Sequence, residues 1–157
     1  MSQTLFTIGY ESAPQGAVID RLKAAGVELL IDVRAVAASR RAGFSKSVLA
    51  ASLEAEGIGY AHLRDLGTPK DGRLAVRAGR PKDMLEIFAR HMGGEAARAA
   101  LETAVSDARG RRACLLCYEA DWRCCHRAVL ADMIAPRIGA DTIHLTVERA
   151  ADRAVAV

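Results

Sequence analysis

Apolar residues along this chain follow two rhythms, short unbroken runs and longer stretches that repeat every three or four positions. Leu5-Phe6-Thr7-Ile8-Gly9 is a run that ends at a glycine and predicts a first strand. Val18, Ile19, Leu22 and Ala25 then repeat at helical spacing as far as Gly26, a residue suited to a helix C-terminus. Residues 27–33 predict a second strand, apolar enough to be buried on both faces. Beyond the Gly43 loop, Ser45 is placed to cap a helix carrying Val48, Leu49 and Leu53, which Gly57 closes, and residues 58–63 predict a third strand. Residues 64–81, with Gly67, Pro69, Gly72, Gly79 and Pro81, read as one long connection and a lid candidate. Two helices follow, the first with Met84, Leu85, Phe88 and Met92 on one face, the second running from Ala97 through Ala108 to Gly110. Residues 111–117 predict a fourth strand, Val129, Leu130, Met133 and Ile134 a helix ending near Gly139, and residues 142–147 a fifth strand. From about residue 148 the chain reads as a loosely held tail.

Strands alternating with helices through short loops predict an α/β fold in three layers, a mainly parallel sheet of about five strands with helices on both faces. The length of 157 residues suits one such domain spanning residues 1–157. Ligands of open sheets bind beyond the carboxyl ends of the strands, so the residues just after each strand carry the functional signal. These are Tyr10 and Glu11, Asp32 and Arg34, His62 and Arg64, and Cys117 and Glu119, all expected on one rim.

Composition narrows the classes. No apolar run approaches the roughly 20 residues of a membrane span, and the amino terminus lacks a basic segment followed by an apolar one, so a cytoplasmic protein away from membranes is expected. Four cysteines without a secretory signal point to free thiols or metal ligands rather than a disulfide framework. A net charge of +3 is too small to make the whole molecule a nucleic-acid binder, yet the basic residues are clustered. Arg34, Arg40, Arg41 and Lys46 fall in a segment without acidic residues, and Arg64, Lys70, Arg73, Arg77, Arg80 and Lys82 face only Asp65 and Asp71. Such clusters fit an anion or phosphate site, or solvated loop charge.

The densest chemistry lies between Cys117 and Arg127, where the only tryptophan, all but one of the cysteines, a histidine and two arginines share eleven residues. Cys117 ends a strand and Cys125 sits near the start of the next helix, whose free N–H groups favour a thiolate, so one of these is expected to be the most reactive thiol and Cys114 the least. Glu119 with His126 or His62 would handle protons. Arg34, Arg40 and Arg127 would hold an anion through bidentate forks, or serve a fixed network with Glu11 and Glu119. The Cys117-to-Arg123 spacing matches a phosphate-cradling loop, but the loop has no glycine and carries Glu119 and Asp121. Metal ligand types are present in Cys117, Cys124, Cys125 and His126. Nevertheless no second Cys-x-x-Cys pair faces Cys114 and Cys117, whose side chains alternate to opposite faces, so no metal and no other cofactor is assigned.

Thr7-Ile8-Gly9-Tyr10-Glu11, Asp32-Val33-Arg34, Ser39-Arg40 with Phe44, Tyr60-Ala61-His62 with Leu66-Gly67, Cys117-Tyr118-Glu119 and Cys125-His126-Arg127 occur in this order. Together they resemble the ordered motifs of the bacterial and archaeal family called domain of unknown function 488, over roughly residues 4 to 147. The resemblance implies a single-domain α/β fold and a site built from these motifs, with no substrate attached; Cys124 departs from the pattern. The expected site places Cys117, Glu119, Cys125 and His126 in catalytic roles and Tyr10, Glu11, Arg34, Ser39, Arg40, His62 and Arg127 on the ligand. The expected function is binding, with or without processing, of a phosphate- or carboxylate-bearing small molecule or nucleotide. The alternatives are a non-catalytic nucleic-acid or nucleotide binding module, and a thiol phosphatase or rhodanese-like sulfur transfer.

Overall fold

The computed structural model describes residues 3–147, so the expected tail from about 148 lies outside the described residues. Five strands, β1 (Gln3–Gly9), β2 (Leu29–Asp32), β3 (Gly59–His62), β4 (Ala113–Cys117) and β5 (Ala140–His144), form one parallel sheet in the order β3-β2-β4-β1-β5. Around it lie α1 (Gln15–Ala24), α2 (Lys46–Ala55), α3 (Lys70–Arg77), α4 (Pro81–Met92), α5 (Glu95–Ala108) and α6 (His126–Ile134). This is the expected three-layer α/β fold.

The strand order explains the layers. From β1 to β3 the chain moves towards one edge, and from β3 to β5 it moves back past β2 and β1. Right-handed crossovers in opposite directions put their helices on opposite faces. Val18, Ile19 and Leu22 of α1 and Leu49 and Leu53 of α2 accordingly share one core with Phe6, Ile8, Leu30 and Leu116. Met84 and Phe88 of α4, Ala104 of α5 and Leu130 of α6 share the other with Leu5, Ile31, Leu115 and Cys117. The strands of a sheet covered on both faces read as unbroken apolar runs, which is why β2 and β4 were legible. Among the described residues no helix is long and apolar enough to cross a membrane.

One sequence expectation is corrected. Residues 64–81 are not an unstructured connection but a 3-10 turn, Arg64–Leu66, followed by α3. The glycines and prolines that signalled a loop have packing and capping roles. Pro81 sits in the first turn of α4, where its missing N–H costs nothing. A Cβ on Gly72 would collide with Thr68 Cγ2 and stand 3.6 Å from Met84 Cγ, so the glycine lets α3 pack closely. Strand ends also shift: β5 starts at Ala140, and Leu145 N–H adds one bond to Thr7 O at 2.7 Å.

Gly67 brings the turn after β3 against the exit of β2, and a Cβ there would overlap the Ala35 backbone, leaving Ala35 Cβ at 2.6 Å. Backbone cannot rotate away as a side chain can. Gly67→Ala is therefore expected to cost about 3 kcal/mol. Gly57→Ala, at φ +75° with nothing within 4 Å of the added carbon, is expected to cost about 1 kcal/mol. Urea unfolding of both variants checks the ranking, and equal losses would contradict it.

Candidate functional site

A cavity of about 710 Å³ opens at the carboxyl edge, beyond β1, β2 and β4 and beside α3. The parallel register brings Gly9 opposite Cys117 and Asp32 opposite Leu116, so the residues after these strands emerge side by side. Tyr10, Glu11, Arg34, Cys117, Glu119, Cys125 and His126 all line the cavity.

Behind this lining sits Arg127, which has no solvent exposure. Its Nε donates to Thr7 Oγ1 at 3.1 Å, Nη1 to Cys117 Sγ at 3.0 Å and to Glu119 O, and Nη2 to Ala120 O at 3.2 Å. Thr7 Oγ1 also shares a hydrogen bond with His144 Nδ1 at 2.6 Å, and His144 stacks on Trp122. Burial lowers the Arg127 pKa, and the nearby Glu119 carboxylate opposes that shift. A Cβ on Gly9 would fall on the Glu119 carbonyl and lie 2.9 Å from Arg127 Nη1, so the strand must end in glycine for the loop to close.

Arg34 is buried as well. Its Nε and Nη2 grip Asp32 at 2.9 and 2.7 Å, while Nη1 donates to Phe44 O at 2.8 Å and Tyr10 Oη at 3.1 Å. Burial opposes the Arg34 charge, but Asp32 and Tyr10 outweigh it and raise the pKa. Tyr60 donates its hydroxyl to the same Asp32, and burial together with that carboxylate pushes its pKa up. The donors of Arg34 and Arg127 expected on a ligand are thus largely taken up by the protein itself.

At the cavity floor Cys117 and Cys125 are joined in a disulfide with Cα atoms 7.4 Å apart, a difference from the expected free thiols. The cause is topological: the end of β4 and the residue preceding α6 meet across a tight 3-10 turn, Trp122–Cys124. Cys114 and Cys124 remain free. His126 Nε2 donates to Val33 O at 2.8 Å and its Nδ1 lies 3.7 Å from Cys125 Sγ. Burial pushes the His126 pKa down to about 4, so the ring is neutral at pH 7. Glu119 Oε2 is 3.5 Å from Cys117 Sγ. Burial raises the Glu119 pKa and the Glu11 charge adds to it, against its own N–H, Arg127 and Arg77.

The remaining expected residues are spread out. Glu11 lines the cavity and accepts from Ala120 N–H at 3.1 Å. Tyr10 stacks on Phe44 with ring centroids 4.2 Å apart. Ser39 spends its side chain on Arg41 N–H and its N–H on Ser45 Oγ, Arg40 is exposed, and His62 donates to Arg34 O at 2.8 Å; none of these three lines the cavity. Arg73 and Arg77 do, from α3. Their spacing of four is a helical signal, hidden because their segment read as a loop.

A family model described as domain of unknown function DUF488 matches residues 15–134. No curated protein and no solved structure matches the chain.

Two measurements probe this arrangement. Asp32→Asn leaves the buried Arg34 without its counter-charge and is expected to cost about 3 kcal/mol in urea unfolding. Brief alkylation of the native, unreduced protein is expected to mark the half-exposed Cys124 first. Cys114, whose thiol pKa burial pushes up, is expected to react only on unfolding. Peptide mass spectrometry reads the order, and early labelling of Cys114 would contradict it.

Proposed function

The chain belongs to the DUF488 family, and we propose that it binds a small phosphate- or carboxylate-bearing ligand in the cavity at the carboxyl edge of its sheet. The observation that carries this reading is the pair Arg73 and Arg77, which line the cavity together with Glu119, Cys117, Cys125 and His126. Among the described residues the Arg77 side chain makes no ion pair or hydrogen bond, and that of Arg73 donates to Thr68 O at 2.9 Å. Uncommitted guanidinium donors in a concavity of small-molecule size favour an anionic guest. Burial raises the Glu119 pKa, a shift in the direction that lessens the repulsion such a guest would meet.

These cations line a concave cavity, which favours a small molecule over a nucleic-acid strand. Thiol phosphatase or sulfur-transfer chemistry at Cys117 or Cys125 requires the joined pair to be reduced first, whereas anion binding by Arg73 and Arg77 does not.

Calorimetric titration with inorganic phosphate, a nucleoside monophosphate and a dicarboxylate tests the reading. The tightest of these is expected to weaken by about 10-fold or more in Arg77→Ala and in Arg73→Ala, and to be unchanged in Arg90→Ala, an exposed residue of α4. Equal losses in all three variants, or no binding of any probe, would overturn it.

A further inference from the structure

We propose that in the reduced protein Cys117, Cys125 and His126 form a three-ligand site for a zinc-type divalent cation, with the fourth position open to the cavity. One ligand atom from each of the three residues already lies within 4.8 Å of the others. Two thiolates around one tetrahedral ion stand about 3.8 Å apart, from Zn–S bonds of about 2.3 Å. The Cα separation of 7.4 Å is wide for a bridge and leaves the opened sulfurs room to reach that spacing.

The surroundings are those of a ligand set. His126 must donate through Nε2, because its partner there is the Val33 carbonyl, so Nδ1 presents its bare lone pair towards Cys125 Sγ. An imidazole whose second nitrogen is held by a backbone carbonyl is the usual orientation of a metal-bound histidine. Each sulfur also receives an N–H: Cys117 from Arg127 Nη1 at 3.0 Å, Cys125 from the Arg127 backbone at 3.4 Å. Arg127 makes no ion pair with a carboxylate among the described residues, so a negative sulfur supplies the charge this buried cation lacks. Two thiolates and one imidazole select a borderline-soft ion over magnesium or calcium. Three protein ligands with a position facing a cavity are the pattern of a site that takes water or an anionic group as fourth ligand.

Loading is balanced as follows. A dithiol reductant gives two electrons and two protons to the Cys117–Cys125 bond and becomes a disulfide itself. The two thiols then lose their protons to solvent as both sulfurs and His126 Nδ1 bind the ion. The site goes beyond the anion reading, which rests on Arg73 and Arg77.

The test uses the full chain, reduced with a dithiol, desalted without oxygen and titrated with cobalt(II), then with zinc. One cobalt per chain is expected, with a thiolate-to-metal charge-transfer band and the strong visible bands of a tetrahedral ion, all bleached by one equivalent of zinc. Cys117→Ser, Cys125→Ser and His126→Gln are each expected to lose more than about 100-fold in affinity, beyond the range of outer-shell losses, and Cys124→Ser to lose nothing. Should a variant fail to fold, zinc must still protect Cys117 and Cys125, and not Cys124, from alkylation in the wild-type protein. Absence of a stoichiometric thiolate–cobalt band, or equal protection of Cys124, overturns the proposal. Anion titration of the oxidised protein, in which Cys117 and Cys125 are joined and cannot hold an ion, reports on the Arg73–Arg77 reading separately.

Discussion

Burying the Arg127 guanidinium obliges the chain to bring acceptors to it, because a cation without solvent exposure and without partners is prohibitively costly. Those acceptors come from β1 and from the end of β4 with the loop that follows it, two stretches far apart in sequence. Satisfying one side chain therefore sets the path of residues 118–121, and with it the position of Glu119. It also explains Gly9: the strand beside β4 has to end without a side chain so that the Glu119 carbonyl can reach the guanidinium. Since Arg127 also donates to both cysteine sulfurs, the geometry of the cavity floor depends on the same residue.

Arg34 solves a similar problem by another route. Where Arg127 leans on carbonyls and sulfur, Arg34, just beyond β2, has a carboxylate two residues away at the end of that strand, in a bidentate pair that Tyr60 and Tyr10 complete. The fixed backbone at the exit of β2 then receives two imidazoles, His126 on Val33 O and His62 on Arg34 O. His126 is thus oriented by the strand that the Asp32–Arg34 pair stiffens. The inner arginines build the walls, and the outer ones, Arg73 and Arg77, are left to meet a ligand.

This division marks how far the sequence could be read. All five strands were legible; β1, β2 and β4, at the centre of a sheet covered on both faces, leave the clearest apolar imprint, while β3 and β5 at its edges are only partly buried. The shared rim followed from the parallel order alone, and it gathers Tyr10, Glu11, Arg34, Cys117 and Glu119 as expected. What could not be read was the partner of each charge. Arg34 and Arg77 look alike as letters, and only packing shows that one is saturated by Asp32 and the other uncommitted. Helix α3 stayed hidden because Gly72, chosen for a close approach to Thr68, carries the same signature as a loop glycine. The pairing of Cys117 with Cys125 was invisible for a related reason, since it depends on how tightly the turn at Trp122–Cys124 folds back.

The state of the two sulfurs decides what the floor of the cavity offers. Joined, they are weak acceptors, and the nearest full negative charge available to Arg127 is the Glu119 carboxylate, which burial disfavours. Opened, each sulfur gains a charge that existing N–H groups already face, Cys117 towards the guanidinium and Cys125 at the start of α6, where the helix end is partially positive. The donors that hold the loop in place are therefore the ones that reduce the cost of negative sulfur. A scaffold built to bury a cation is, by the same contacts, built to accept anions beside it.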